Sequence, residues 1–454
     1  MAATRTRVRR ARRRRDLRGR LRRHREALQI RYRDGYGDGY REGVQSGLQN
    51  YPIRFEGTSI VIPTYNQLSM IKMCVESIFE HTNLPYEIIV VDNASTDGTE
   101  AYLRKLGGQV RYRVLEKNLG FAGAINVGMM MARGSTIMLL NNDTLATERW
   151  LDNLMSCLNS DESIGMVGPM TNYISGDQKI DVPYTNIADM PAFAREYNRS
   201  NPSRWQRTDR LTGFCLLFRR ELFEAIGYFD EGFEIGNFED DDYNIRVRLL
   251  GKSLVMAQDT FIHHFGSVSM KALGDDRFQE VNHRNQQYFT DKWRNPNEWI
   301  QFVRRKSALL EGSAPDSTAF YPERIVVQGG GANIYWIERG QRRLVDGVVS
   351  FPAVRLSQID VKRWPVGDPI SVGEAEEKWR GLDGESDWES GVVQLRDGTL
   401  FYAQNGQARR IVSASVMRAW QLHLKPARTI SAEELSEAEE GLPIIAPPLL
   451  KQGL

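Results

Sequence analysis

The chain has 454 residues, of which 41% are hydrophobic and 26% charged, with a formal net charge of +2, a length for roughly two to four domains and a composition for a globular protein. No apolar run approaches the roughly 18 residues that a membrane helix needs. Cys74, Cys157 and Cys215 are far apart, odd in number and without ligand spacing, so they read as buried thiols of a reducing compartment. The basic start lacks the apolar region of a secretory signal, and a cytoplasmic location is expected.

In chain order, MAATRTRVRRARRRRDLRGRLRRHR is mostly arginine with one acid, leaving the remainder acidic on balance. A like-charge block of this kind is expected to be a disordered tail. Its phosphate-seeking chemistry suits peripheral contact with an anionic membrane, at the inner face, and nucleic acid is not the expected partner. YRDGYGDGYREGVQSGLQN then reads as a linker, so residues 1–50 form the tail. From Thr58, TSIVIPTYN reads as strand then loop, LSMIKMCVESIFEHT as helix and YEIIVVDNAS as strand then loop. TDGTEAYLRKLG is a helix, VRYRVLE a strand, FAGAINVGMMMA a helix and TIMLL a buried strand. This alternation predicts an α/β fold with a mostly parallel sheet flanked by helices.

Ligands of such sheets sit beyond the carboxyl ends of the strands. Three successive ends carry PTYN (Pro63 to Asn66), DNASTDGT (Asp92 to Thr99) and NND (Asn141 to Asp143). Asn and Asp also end strands simply as turn formers; the convergence of the three ends on one crevice is what a turn does not explain. EKNLGFAGAINVG adds Asn118, Gly120 and Gly123 at a helix start, where free backbone N–H groups can approach phosphate oxygens. Further on, LTGFCLLFRRELFEAIGYFDEGF reads as a buried strand, a helix and a loop. NFEDDDYNIRVRLLGK opens a helix with Glu239, Asp240, Asp241 and Asp242. Acids in a first turn favour the helix dipole, which does not account for four in a row. DTFIHHFGSVSM places His263 and His264 after a short strand.

Past a linker over residues 311–325, NIYWIERGQRRLVDG recurs as TLFYAQNGQARRIVSA about 66 residues later, which predicts a small β-rich tandem-repeat module over 326–448. Tyr335, Trp336, Phe401 and Tyr402 are either core residues or a stacking surface for an acceptor. No acid/base constellation recurs there.

SIVIPTYN, EIIVVDNASTDGT, KNLGFAGAINVG, MLLNNDT, GFCLLFRRELFEAIGYFDEGF, FEDDDYNIR, HFGSVS and NHRNQQYFTDKW, in this order, resemble the family 2 glycosyltransferases of GT-A fold, particularly rhamnosyltransferase-like and galactofuranosyltransferase-like members. The similarity runs from about Ser59 to Trp293, within an expected catalytic domain over residues 51–310. It implies a bacterial transferase of cell-envelope polysaccharide biosynthesis, using a UDP- or dTDP-sugar donor and a glycan or glycoprotein acceptor. Asp92 would recognise the nucleoside, with Pro63, Tyr65, Asn66 and Asn93 lining the pocket, and Asn118, Gly120 and Asn142 near the diphosphate and donor sugar. Asp143 matches the last Asp of the family's D-x-D metal motif, while Asn141 replaces the first. Mg²⁺ or Mn²⁺ would therefore rest on Asp143 and a histidine, His264 through its H-F-G-S context, with His263 the other choice. Asp240 is the implied general base of an inverting transfer, Glu239 the acceptor-binding acid and Asp241 the alternative base. The competing expectation is a sugar-nucleotide or glycan-binding protein with a decayed transferase site.

Overall fold

The computed structural model describes residues 54–266, 274–306, 316–381 and 390–451. The Arg-rich tail, the Gly/Tyr segment and residues 311–315 of the expected linker lie outside them. Ten strands precede the C-terminal region: β1 (Phe55–Thr64), β2 (Tyr86–Asp92), β3 (Arg111–Val114), β4 (Gly134–Leu140), β5 (Thr144–Leu145), β6 (Ile164–Met170), β7 (Trp205–Thr208), β8 (Cys215–Arg219), β9 (Ser253–Phe261) and β10 (His263–His264). Eight of them form one sheet in the order β3-β2-β1-β4-β8-β6-β9-β7.

Side chains alternate across that sheet. Ile60 and Ile62 of β1 join one apolar layer, where the Leu68–His81 helix inserts Ile71, Cys74, Val75 and Ile78, a single stripe at helical spacing. Val61 faces the other layer, with Ala124 and Ile125 of the Gly120–Met131 helix. β1, β2 and β3 are parallel. β4 runs with β1: Thr136 bonds Thr58 at one end (2.7 Å) and Asn142 bonds Thr64 just past the other (2.9 Å).

The sheet is nevertheless mixed. β8 is antiparallel to both β4 and β6, and β7 is antiparallel to β9. β7 and β8, joined through residues 209–214 without a helix, are separated in the sheet by β6 and β9 and run in the same direction, each against its neighbours. A second, two-stranded sheet pairs β5 with β10.

The C-terminal region builds two five-stranded sheets. The first comprises β11 (Ile325–Gln328), β12 (Ile334–Glu338), β13 (Gln341–Asp346), β14 (Val354–Arg355) and β15 (Val366–Ser371), in the order β14-β11-β12-β13-β15. The second comprises β16 (Ser390–Leu395), β17 (Leu400–Gln404), β18 (Gln407–Arg410), β19 (Ala427–Ile430) and β20 (Glu439–Glu440), in the order β19-β16-β17-β18-β20. In both, the three central strands are antiparallel and the two outer ones parallel to their neighbours. Trp336 and Tyr402 are fully buried core residues, whereas Tyr335 and Phe401, one position earlier on the pleat, are half-buried.

These sheets share a core with the large one. Phe320 and Tyr321, within the stretch expected to be a linker, are buried in the same apolar cluster as Val61, Tyr243, Trp420 and Leu450. Polar ties run alongside: Arg363 donates to the Glu224 carbonyl, Ser415 to the Asp291 carbonyl, and Glu231 N–H to the Leu449 carbonyl.

Candidate active site

The carboxyl ends of β1, β2 and β4 meet as the sequence anticipates. Asp92 ends β2 fully buried; one oxygen accepts from Ser95 N–H at 3.0 Å, and Oδ2 has no partner among the described residues. A buried acceptor without a donor is costly, and a ligand N–H would satisfy it. Asn66, at φ 48°, accepts from Thr96 N–H through Oδ1 (2.7 Å), stitching the first loop to the second. Tyr65 is 40% exposed at the rim, whereas Pro63 is buried within β1, opposite Val91, not in the loop.

Asn93 and the helix start differ from expectation. Asn93 Oδ1 accepts from Leu119 N–H (2.7 Å) and its Nδ2 donates to the Gly120 carbonyl (3.0 Å). Gly120 N–H bonds Asn118 Oδ1, and Phe121 N–H bonds the Ile235 carbonyl. The Leu119, Gly120 and Phe121 N–H groups of this helix start thus have protein acceptors. Gly120 is required for another reason: at φ +76° a Cβ there would lie 3.2 Å from Ile235 N.

The NND turn leads into β5, whose pairing with β10 sets His264 opposite Thr144. His264 Nε2 lies 3.1 Å from Asp143 Oδ1, both side chains buried. The Tyr173 carbonyl, 2.7 Å from His264 Nδ1, accepts that nitrogen's N–H, so in the tautomer with one ring hydrogen Nε2 is a bare acceptor facing a carboxylate. Two acceptors face each other, and a proton or a cation between them resolves the contact. His263 points elsewhere: its Nδ1 is 2.7 Å from Tyr184 Oη, and burial, then His264, hold its pKa down at about 4. Of the neighbouring amides, Asn142 donates to Thr64 Oγ1 (2.9 Å), while Asn141 Oδ1 is buried without a partner among the described residues.

The four consecutive acids have four different fates. Glu239 is buried with Oε2 unpartnered among the described residues, and burial reinforced by the Asp240 charge raises its pKa well above the carboxylate range. Asp240 accepts from Gly213 N–H (2.8 Å) and Asp241 N–H (2.9 Å). Burial and the Asp241 charge push it up to about 6, against the opposing pull of Arg210. Asp241 is engaged by Arg210. Asp242 faces inward to Lys292 (2.5 Å), Arg246 (2.9 Å) and Trp293 Nε1 (2.8 Å); burial pushes its pKa up, yet those two cations and the hydrogen bonds hold it below the ordinary value.

Gly213 and Phe214, which the sequence reading did not single out, join these groups. Gly213 N–H reaches Asp240, the Phe214 carbonyl accepts from Asn141 N–H at 2.9 Å, and the Phe214 ring stacks on His264 with centroids 5.5 Å apart. A Cβ on Gly213 would come within 3.2 Å of Asp240 Cβ. The only sequence signal was a Thr-Gly-Phe step just before a buried strand.

The α/β sheet, with strand ends converging on a buried acid–histidine pair and a second acid cluster, is an architecture of the GT-A type. The profile described as glycosyl transferase family 2 matches residues 59–227. The glycosyltransferase YwdF of Bacillus subtilis, itself uncharacterized, is 30% identical over 191 residues, spanning 42% of this chain and 67% of that protein. The chain belongs to glycosyl transferase family 2. The chondroitin synthase of Pasteurella multocida is 25% identical over 224 residues, covering 42% of this chain and 23% of the synthase. The chain spans about a quarter or less of the length of the first curated relatives it matches. Among solved structures, GalNAc-T7 with UDP, GalNAc and Mn²⁺ has a TM-score of 0.39 at 17% identity, covering 58% of this chain and 53% of that one.

Proposed function

We propose that the protein is an inverting glycosyltransferase that moves a sugar from a UDP- or dTDP-sugar to a hydroxyl of a glycan or glycoprotein acceptor. The observation that carries this reading is the single path Asp240–Gly213–Phe214–His264–Asp143, which sets a raised-pKa carboxylate and a cation-seeking acid–histidine pair along one loop. Among the described residues no group of three or more His, Cys, Asp or Glu forms a metal cage. Asp143 and His264 are a donor set that suits Mg²⁺ or Mn²⁺ when oxygens of a bound diphosphate complete the shell. Such a cation, when bound, would neutralise charge on the leaving diphosphate.

The chain's own residues carry the rest. Asp92 Oδ2 accepts from the nucleobase, and Asn141 Oδ1 from a ligand hydroxyl or bound water. Asp240, ionised above its pKa of about 6, takes the acceptor hydroxyl's proton as that oxygen bonds the anomeric carbon and the carbon–oxygen bond to the diphosphate breaks. One displacement inverts the anomeric centre. Glu239, kept protonated, donates to an acceptor oxygen.

The rhamnosyl and galactofuranosyl donors suggested by the sequence, and a role in bacterial envelope polysaccharide synthesis, belong to this proposal, as does a tail that meets anionic lipid. The two C-terminal sheets read as copies of one unit. No described helix is long and apolar enough to cross a membrane. A panel of UDP-, dTDP- and GDP-sugars with Mn²⁺ or Mg²⁺, read as released nucleoside diphosphate and glycosylated acceptor, tests the function. Asn141 in place of an acid favours the alternative of a sugar-nucleotide-binding protein; donor binding without release or transfer across the whole panel would establish it.

A further inference from the structure

The segment leading into Glu239 and Asp240 holds three non-glycine residues in the left-handed region: Ile235 (φ 61°), Asn237 (φ 80°) and Phe238 (φ 73°). That region is sparsely populated by side-chain-bearing residues, least of all by β-branched ones, and such backbone persists only when its surroundings over-determine it. Phe238, the residue before the helix, has no side-chain cap to offer. Inside it Gly236 N–H bonds back to the Glu234 carbonyl at 2.6 Å, and the rest of what shapes the loop must lie outside it.

One side chain meets that requirement. Asn285, 1% exposed on the Asp275–Trp293 helix, accepts from Glu234 N–H at 2.9 Å. Its Nδ2 donates to the carbonyls of Glu234 (2.9 Å), Gly236 (2.8 Å) and Asn237 (3.2 Å). Two hydrogens serve three carbonyls and the oxygen takes one N–H, so all four of these amide hydrogen bonds go to the strained segment. Across the loop, Phe121 N–H fixes the Ile235 carbonyl at 2.8 Å. The neighbouring Asn282 makes a single 3.3 Å bond to the Asn237 side chain.

We propose that Asn285 is a positioning residue for transfer: its amide forces the 234–238 loop into a shape the loop does not hold alone, and so fixes where the Glu239–Leu249 helix begins and where Asp240 points. The assignment rests on Asp240 as the base. Displacing a reacting group by about an ångström costs on the order of 100-fold in rate. The Asn285 amide bonds Glu234, Gly236 and Asn237 rather than donor-pocket residues, so the loss should fall on turnover more than on donor binding.

The test compares the full chain with Asn285→Ala, Asn285→Asp and Asn282→Ala, measuring kcat, donor KM and amide hydrogen exchange on protein shown folded by its thermal transition. Asn285→Asp keeps an acceptor for Glu234 N–H and removes the donors, giving a milder second variant should the alanine fail to fold. The expected result for both Asn285 variants is kcat lower by roughly 10- to 100-fold, donor KM within about threefold and faster exchange confined to residues 234–240, with Asn282→Ala near the parent. Parent kcat despite faster exchange overturns the proposal, as does a donor KM that rises as much as kcat falls, or an equal loss in Asn282→Ala. If the parent releases no nucleoside diphosphate from any donor, the glycosyltransferase reading itself fails. The bracket is then judged by exchange alone, and unchanged exchange over 234–240 overturns it.

Discussion

At the scale of single residues, environment separates side chains that the sequence presents as equivalent. With Asp240 held at about 6 by burial and the Asp241 charge, only its ionised form accepts a proton, so transfer should rise with pH through an acidic limb centred near 6. Asp240→Asn should abolish that limb and lower kcat by about 10²- to 10⁴-fold, the range for losing a general base, with donor affinity kept; initial rates from pH 4.5 to 8.5 decide it. Arg210 opposes the upward shift, so Arg210→Gln should move the limb of the pH profile to higher pH. A shift the other way would mean that Asp240 does not set it. Pairing Asp143 with His264 was legible from motif order, but choosing His264 over His263 on physical grounds needs the carbonyl of Tyr173. Asn66 and Asn93 illustrate what sequence cannot resolve: an amide that recognises a ligand and one that ties two loops together have the same letter.

At the scale of elements, apolar runs bounded by polar loops locate β1, β2 and β4, which are buried on both faces, and a single apolar stripe locates the Leu68–His81 helix. β5 and β10 have two residues each, too few for any period, although their pairing builds the acid–histidine contact. The direction of β8 was equally hidden, since a run of buried residues reads the same in a parallel strand and an antiparallel one. The acidic helix is anchored from behind, where Lys292 bonds Asp230 (2.6 Å) and Asp242 (2.5 Å), both fully buried. Lys292→Met would leave Asp230 without a cation and Asp242 with Arg246 alone. Removing one partner of a buried pair costs about 3–5 kcal/mol, and urea unfolding should show a loss of that order; a loss below about 1 kcal/mol would place Lys292 among weakly coupled surface pairs.

At the scale of the whole molecule, the C-terminal region is continuous with the catalytic one. The apolar strings around Phe320 and Trp420 resemble any core in the sequence, which gives no sign that this core is shared. A chain ending at residue 306 would remove Phe320, Tyr321, Trp420 and the rest of the C-terminal share of this core, leaving an apolar face of the kind that drives association. It should be insoluble or aggregated in size-exclusion chromatography, and a monodisperse, donor-binding product would show the core to be divisible. The ties that complete the site are also remote along the chain: Asp143 and His264 are 121 residues apart, and Glu231 meets Lys451 N–H across 220. Closing such long loops is slow compared with forming helices. On dilution from denaturant, helical circular dichroism should therefore return well before donor turnover, and the interval between them measures how long the protein exists with its secondary structure formed and its chemistry still unassembled.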